Sequence, residues 1–340
     1  MRLPAWAVPM PRRAPFAIWG GTPLSFANRG ATPYRTSMET GTHPTLERGD
    51  IMTVALASGA STGFGRLTVE ALARRGHQVF AGLRDIGGRN EKAAAELAAI
   101  AAAEAIDLRV VELDVTDQAS ADRAVAAVID AAGRIDAVVN NAGMIFPGPV
   151  EAFTAEEAQR QFDVNVFGAL RVSRAALPWL RRQGSGVLIQ VGSTSSRVTI
   201  PYSGLYAASK AALAGLTEAW HHELAPFGVE SVIVDAAPHS TNIGVNAVMP
   251  ADAARMGAYA EGFGGFVAAL SERQTQAPAD PRVVSDAIVA LVESPAGERP
   301  LRTVVAPASQ RDAIRSVNTA ATEAARAVSA DMGVAAFLAL

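Results

Sequence analysis

The sequence has no cysteine, and this absence excludes disulfide bonds, thiolate metal sites and cysteine nucleophiles together. Lysine is nearly absent too, since Lys92 and Lys210 are the only two in 340 residues. No apolar run reaches the roughly 18 residues that a membrane-spanning helix needs. The net charge of -3 at pH 7 offers no positive excess for nucleic acid. We therefore expect a cytoplasmic protein without a nucleic-acid partner, a membrane span or a metal.

Residues 1–51 differ in composition from the rest of the chain. They are rich in proline, glycine, serine and threonine, and five arginines precede the first acidic residue, Glu39. A transit peptide is arginine-rich and acid-poor in this way, but four prolines among the first 15 residues interrupt any amphipathic helix. A twin-arginine export signal would use Arg12 and Arg13, yet the apolar stretch after them is very short. We expect a disordered leader, with Met52 as an alternative start of translation.

From Met52 onward, short apolar segments alternate with longer alanine-rich stretches. The apolar segments are rich in valine, isoleucine and leucine, which is typical of strands buried on both faces of a parallel sheet. Strands are predicted at 53–57, 78–81, 108–113, 137–139, 186–191, 230–234 and 303–306. Helices are predicted at 64–75, 90–104, 118–132, 154–182, 207–226 and 281–293. The alternation predicts a doubly wound parallel α/β sheet of the Rossmann type, forming a single domain over 52–308.

Two segments do not fit the alternation. Residues from about 240 to 278 match no strand, and we expect them to form a lid over the substrate. An apolar substrate is favoured by the apolar side chains of this segment, namely Met249, Met256, Tyr259, Phe263 and Phe266. Residues 309–340 are predicted to form a helical tail.

A glycine-rich turn follows the first predicted strand. Gly59 permits a tight turn, Gly63 lets the backbone approach a pyrophosphate, and Gly65 lets the next helix pack closely. The N-terminus of that helix offers free N–H groups to the phosphates. The cofactor contacts expected from this turn are Gly59, Ser61, Thr62, Gly63, Phe64 and Gly65.

The same turn also matches G-x-S-x-G, the nucleophile elbow of serine hydrolases, with Ser61 as the nucleophile. A hydrolase needs a late histidine after an acid, and Asp235 with His239 is the available pair. The elbow normally follows several strands, whereas this turn follows the first one. A hydrolase is therefore the third hypothesis, after a dinucleotide-dependent oxidoreductase and a non-catalytic dinucleotide-binding sensor on the same fold.

Five motifs in chain order resemble those of the short-chain dehydrogenase/reductase family, over about 52–306. They are Gly59-x3-Gly63-x-Gly65, Asn140-Asn141-Ala142-Gly143, the segment 163–168 with Asn165, Ser193, and Tyr206-x3-Lys210. The segment 298–303 and the Gly63-Phe64-Gly65 variant are similar to the 17β-hydroxysteroid-dehydrogenase-like branch of the family. The resemblance implies hydride transfer between nicotinamide and a small-molecule carbonyl compound or alcohol. Self-association into a homo-oligomer is left open.

Tyr206 and Lys210 lie four residues apart in a helical stretch, so both side chains project from one face. A tyrosine with a pKa of about 10 is a weak acid–base catalyst at neutral pH, and a nearby ammonium lowers that pKa. The resemblance implies that Lys210 also holds the nicotinamide ribose, that Ser193 holds the substrate oxygen, and that Asn165 positions a water in a proton relay.

The end of the second predicted strand, Gly82-Leu83-Arg84-Asp85, bears on the choice of cofactor. An NAD site uses an acid there to bind the ribose hydroxyls, whereas an arginine suits the 2′-phosphate of NADP. Leu83 stands where the acid is expected and Arg84 follows, so we predict NADP(H), with Asp85 as a partner of Arg84 or an alternative ribose contact. The resemblance implies further cofactor contacts at Asp114, Val115, Asn141, Ala142, Gly143 and Thr241.

The sequence predicts a site role for one histidine and none for two others. Ala236-Ala237 stand where the family has Pro-Gly, so the turn before Thr241 is expected to differ, and His239 enters the site as a candidate specificity residue. His221 and His222 form no metal-binding motif and are predicted to be solvated on the outer part of a helix.

Overall fold

Seven parallel strands form one sheet at the centre of the protein. The computed structural model describes residues 52–239, 241, 243–244, 246–276 and 279–339, so the leader predicted at 1–51 lies outside the described residues. The strands are β1 Val54–Ser58, β2 Gln78–Leu83, β3 Leu108–Glu112, β4 Ala137–Asn140, β5 Gly186–Val191, β6 Val229–Ala236 and β7 Arg302–Val305. Their order is β3-β2-β1-β4-β5-β6-β7, and every neighbouring pair is parallel.

Helices cover both faces of the sheet. Within the described residues they are α1 Gly63–Arg74, α2 Glu91–Glu104, α3 Gln118–Ala132, α4 Ala155–Phe162, α5 Ala169–Gln183, α6 Gly204–Leu224, α7 Ala253–Ala258, α8 Ala260–Gln276, α9 Arg282–Glu293 and α10 Ala308–Asp331. Leu72, Leu97 and Ile288 place α1, α2 and α9 on one face, while α3, α5 and α6 pack on the other. The predicted doubly wound, single-domain fold is confirmed. No helix in the described part of the chain combines the length and apolarity needed to cross a bilayer.

The strand order determines where a ligand can bind. The chain proceeds outward from β1 to β3 on one side, then returns to the centre at β4 and proceeds outward on the other side. In an open parallel sheet, such a reversal leaves a crevice at the carboxyl ends of the two central strands. The glycine turn after β1 and the turn at Asn140–Gly143 after β4 therefore lie side by side at this crevice.

Two predicted segments differ from expectation in their local structure. The helix predicted at 154–182 is divided into α4, a single π-helical turn at Asp163–Gly168, and α5. The turn is fixed by hydrogen bonds of Asn165 to other segments, which helical periodicity alone does not reveal. The segment expected to form a lid contains α7 and α8 in its described part, and the segment expected to form a tail contains most of α10.

His221 and His222 are only partly solvated, in contrast to the prediction that they lie free on the outer part of a helix. Nε2 of His221 lies 3.2 Å from the carbonyl oxygen of Ala339, and the N–H of Ala339 donates to Nδ1 of His222 at 3.1 Å. The C-terminal segment contacts the end of α6, and both rings are half-buried. Burial and the neighbouring His221 lower the pKa of His222.

Candidate active site

The glycine turn packs directly against the residues that follow β4. Gly59 has φ +67°, and a Cβ at this position would lie 2.7 Å from Cα of Ala142. A Cβ at Gly65 would overlap the side-chain amide of Asn141. That amide donates to the carbonyl oxygens of Ser58 and Gly59, both at 3.0 Å. The two turns therefore pack tightly against each other, and any side chain at Gly59 or Gly65 would clash with the turn after β4.

The N-terminus of α1 is open to an anionic ligand. Thr62 caps the helix without a side-chain hydrogen bond, and the N–H groups of Phe64 and Gly65 have no acceptor among the described residues. Gly63 has φ +59°, and a Cβ there would meet only Thr241, at 3.6 Å. The site therefore fits a dinucleotide pyrophosphate, because free N–H groups and the helix dipole bind phosphate. Thr241 lies beside this turn although Ala236-Ala237 replace the family's Pro-Gly.

Asp114 and Val115 form the turn after β3. The carboxylate of Asp114 accepts hydrogen bonds from the N–H and the hydroxyl of Thr116, at 2.9 and 2.7 Å. The main-chain N–H of Asp114 donates to the hydroxyl of Ser120 at 2.9 Å. Val115 is buried against Gly168, where a Cβ would lie 2.8 Å from its methyl group. These contacts fix the turn that the family resemblance places at the adenine.

The end of β2 leaves one arginine without a partner. The side chain of Leu83 is buried in the core, whereas Arg84 is exposed and its guanidinium has no hydrogen bond or ion pair within the described residues. The carboxylate of Asp85 accepts from the N–H of Arg89 at 2.8 Å, so it does not pair with Arg84. The carboxylate of Glu112 accepts from the main-chain N–H of Asp85 at 2.6 Å. Both nearby acids are thus engaged by backbone amides, and Arg84 is not.

Ser193 and Tyr206 meet at the carboxyl end of β5. Ser193 is 5% exposed and begins a short 3-10 turn, and its hydroxyl accepts from the N–H of Ser195 at 3.1 Å. The hydroxyl of Ser193 lies close enough to the Tyr206 phenol to influence its ionisation. Burial raises the pKa of the Tyr206 phenol, and the neighbouring Ser193 hydroxyl offsets part of that rise. The pair can hold a carbonyl or alcohol oxygen between two hydroxyl groups.

Lys210 lies one helical turn beyond Tyr206 on α6. Its Nζ donates to the carbonyl oxygen of Val191 at 2.8 Å and lies 5.8 Å from the centre of the Tyr206 ring. Burial lowers the pKa of Lys210 to about 8, against an opposing effect of Asp235. The expected lowering of the Tyr206 pKa by Lys210 is not found, because the ammonium is directed to Val191 and the burial of the phenol dominates.

Asn165 joins three segments of the site. Its Oδ1 accepts from the N–H of Met144 at 2.8 Å, and its Nδ2 donates to the carbonyl of Met144 and the hydroxyl of Ser209, both at 3.0 Å. A Cβ at Gly143 would lie 3.5 Å from this Oδ1 and 3.7 Å from Nζ of Lys210. The π-helical turn, a feature frequent at functional sites, places Asn165 at this junction. The proton-relay role of Asn165 stays a prediction.

The geometry does not support a hydrolase. Nδ1 of His239 lies 2.6 Å from the carbonyl oxygen of Ala237, and its ring packs edge-on against Phe64 at 5.7 Å. Ser61 has no hydrogen bond to a histidine among the described residues. His239 therefore contacts the cofactor turn and does not form a nucleophile–base pair. In the same part of the chain, no group of three or more histidine and acidic side chains is placed to hold a metal.

Tyr202 is a site residue that the sequence analysis missed. It has φ +59°, a strained conformation for a residue with a side chain, and its carbonyl accepts from the N–H of Gly148 at 2.8 Å. Its ring lies 5.3 Å from the rings of both Phe263 and Phe266 on α8. Its position four residues before Tyr206 was the only available signal. Tyr202 thus connects α8 to the start of the catalytic helix.

Comparison with known proteins agrees with this geometry. The sequence model of the short chain dehydrogenase family matches residues 53–251. A 3-ketodihydrosphingosine reductase of Bacteroides thetaiotaomicron is 31% identical over 257 residues, 76% of this chain and 89% of that protein. Human 17-beta-hydroxysteroid dehydrogenase type 1 is 37% identical over 194 residues, 56% of this chain and 57% of that protein. A solved short-chain dehydrogenase from Streptomyces avermitilis is similar with a TM-score of 0.66 and 30% identity, over 83% of this chain and 98% of that chain.

The fold and the family match together define an oxidoreductase that uses a nicotinamide cofactor. The chain belongs to the short-chain dehydrogenase family. The resemblance found in the five sequence motifs is thereby confirmed.

Proposed function

We propose that the protein is an NADP(H)-dependent oxidoreductase that interconverts apolar carbonyl compounds and their alcohols. The observation that carries this proposal is the placement of Tyr206 beside the buried Ser193, with buried Lys210 one turn away. When bound, the nicotinamide supplies or accepts the hydride. Ser193 and Tyr206 bind and orient the substrate oxygen, and the phenol of Tyr206 gives or takes its proton. Fixing the reacting groups in one orientation is a large part of what such a site contributes.

The preference for NADP(H) rests on the end of β2. Arg84 is exposed and unpaired within the described residues, while Asp85 and Glu112 are engaged by backbone amides. A guanidinium has the geometry and the charge to bind the 2′-phosphate, which NAD lacks. The buried side chain of Leu83 offers no carboxylate to the ribose hydroxyls.

The apolar substrate class rests on the aromatic contact between Tyr202 and α8. Phe263 and Phe266 face Tyr202, which begins the segment that carries Tyr206. A substrate oxygen at Tyr206 would therefore have aromatic side chains near the rest of the molecule. The names of the two curated relatives denote a long-chain ketone and a steroid alcohol, both largely apolar.

The test is a cofactor-consumption assay with purified protein. NADPH and NADH are each combined with a long-chain ketone, a 17-keto steroid and a small water-soluble ketone, beside an esterase assay without cofactor. We expect turnover with NADPH and the apolar ketones. Tight NADPH binding without any turnover would instead support the non-catalytic sensor, and ester hydrolysis without cofactor would support a nucleophilic Ser61. The cytoplasmic location, the homo-oligomer and the disordered leader stay predictions of the sequence.

A further inference from the structure

A network of charges lies next to the segment that carries Ser193, and the proposed reaction does not use it. Its Asp235–Arg302 pair is buried, whereas Glu218 and Arg197 are partly exposed. Asp235 on β6 is fully buried and pairs with Arg302 on β7, with Nη1 and Oδ2 2.7 Å apart. Arg302 also donates to Glu218 on α6 at 2.8 Å, and Arg197 donates to the same oxygen of Glu218 at 2.6 Å. Two carboxylates and two guanidinium groups thus balance each other.

Burying the charges of Asp235 and Arg302 opposes folding, so their retention calls for a reason other than stability. Burial raises the pKa of Asp235, and the neighbouring Arg302 opposes that shift. Taking paired charges out of water removes most of the benefit of pairing them, and apolar residues in their place are often as stable. A buried polar group that is fully partnered does, however, fix the position of whatever it contacts.

The network contacts the catalytic segment on both sides of Ser193. On the C-terminal side, the hydroxyl of Ser196 donates to Oδ1 of Asp235 at 3.2 Å, and the N–H of Ser196 donates to the carbonyl of Ser193 at 2.9 Å. On the N-terminal side, Gly192 packs so closely that a Cβ there would lie 3.1 Å from the same Oδ1. The carbonyl of Val191, one residue earlier, holds Lys210.

We propose that the buried Asp235–Arg302 pair positions Ser193 for catalysis, acting through the hydroxyl of Ser196. Arg302 fixes the carboxylate of Asp235, and Asp235 fixes the short 3-10 turn that begins at Ser193. Ser196 and Asp235 are positioning residues, because neither is placed to touch substrate or cofactor. The inference rests on the proposed function for the role of Ser193 in the reaction.

The test compares Ser196→Ala with two other variants. Ser196→Ala removes the link between the ion pair and the turn but leaves the ion pair intact. Ser196→Thr keeps the hydroxyl and serves as the rescue variant. Ser231→Ala is the matched control, because Ser231 is a buried serine on the same strand as Asp235 whose hydroxyl donates to Thr217 at 3.1 Å, outside the network.

We expect Ser196→Ala to lower kcat about tenfold, since small displacements of a catalytic group lower rates strongly, with the Kd for NADPH unchanged. Ser196→Thr should retain the wild-type kcat, and Ser231→Ala should lower Tm without lowering kcat. Amide hydrogen exchange of peptides covering 191–198 should increase in Ser196→Ala and not in Ser231→Ala. This second measurement needs no substrate.

A wild-type kcat and unchanged exchange in Ser196→Ala would overturn the positioning role. An equal loss of kcat in Ser231→Ala would overturn it as well, because the effect would then follow general destabilisation. Failure of the wild-type protein to turn over any carbonyl compound would refute the proposed function, and the exchange measurement would still decide whether the network orders the turn.

Discussion

The proposed catalytic residues and the helix α8 are held to the protein in opposite ways. Ser193, Asn165 and Lys210 are at most 5% exposed, and each is hydrogen-bonded to main-chain groups of another segment or its own turn. None of the described residues of α8 is buried, and its aromatic contacts are those with Tyr202. Local stability follows burial and hydrogen bonding, so α8 should open at a much lower free energy than α6. Ser193, Asn165, Lys210 and the segments that carry them thus form a rigid part of the protein, which we call the fixed frame. The helix α8, beside the proposed substrate position, is held by fewer contacts and can move more easily.

The largest effect should come from the fixed frame. Tyr206→Phe removes the phenol hydroxyl that gives or takes the proton, and we expect kcat to fall about 100- to 1000-fold. The ring that packs beside Lys210 stays, so the Kd for NADPH should be unchanged. Steady-state kinetics and a binding titration check the two quantities. A kcat close to that of the wild type would show that another group transfers the proton.

A substitution at the proposed cofactor contact should have a smaller effect than Tyr206→Phe. Arg84→Ala should raise the KM for NADPH about 10- to 100-fold, the range for losing a charge-assisted hydrogen bond, and leave the KM for NADH unchanged. Arg123→Ala, which removes an exposed arginine from α3, is the control. Equal weakening of both cofactors in Arg84→Ala would contradict the assignment of Arg84 to the 2′-phosphate.

The structure also indicates which substitution should invert the preference from NADPH to NADH. The sequence pattern suggests adding Leu83→Asp, so that a carboxylate can bind the ribose hydroxyls. Leu83 is 1% exposed in the core, however, and an aspartate there would bury a charge. We therefore expect Leu83→Asp to lower Tm, whereas Arg84→Asp places the carboxylate at an exposed position. A thermal unfolding scan of the two variants distinguishes them.

The sequence predicted those features that depend on neighbouring residues. Runs of valine, isoleucine and leucine predicted the strands, and Gly59, Tyr206 and Lys210 were singled out because they belong to five motifs in the order of a known family. The features that were missed depend on contacts between distant segments. The π-helical turn exists because Asn165 bonds to Met144 and Ser209, the role of Ser196 depends on Asp235, and the half-burial of His222 depends on Ala339. The spacing of residues along one element carries no information on such pairs.

The pH dependence should reveal the charge state of Lys210 within the fixed frame. Its pKa lies at about 8, so the ammonium is present below pH 8 and is lost as the pH rises through that value. The pKa of Tyr206 is raised, which places its ionisation at higher pH. We therefore expect kcat/KM for NADPH in carbonyl reduction to fall above pH 8, by about tenfold per pH unit for a single required proton. A flat profile between pH 6 and 9 would mean that Lys210 is not needed as a cation.

The smallest effect should come from the contact that joins the two regions. Tyr202→Ala removes the ring that contacts Phe263 and Phe266. Alanine has a Cβ as tyrosine does, so the backbone strain at φ +59° is the same in the variant and the wild type. The hydrogen bonds of Ser193 and Lys210 do not involve Tyr202, so the frame should persist. Loss of an aromatic pair is worth about 1 kcal/mol, and we expect the KM for an apolar ketone to rise roughly fivefold.

Two comparisons make the Tyr202 experiment specific. A small water-soluble ketone, which does not reach α8, should keep its kcat/KM in Tyr202→Ala, and Tyr202→Phe should behave as the wild type because it retains the ring. If the small and the apolar ketone lose activity equally, the ring of Tyr202 supports the segment that carries Tyr206 and not only the docking of α8. Loss of the contact between Tyr202 and α8 would then alter the segment that carries Tyr206, so the fixed frame and α8 would not be independent of each other.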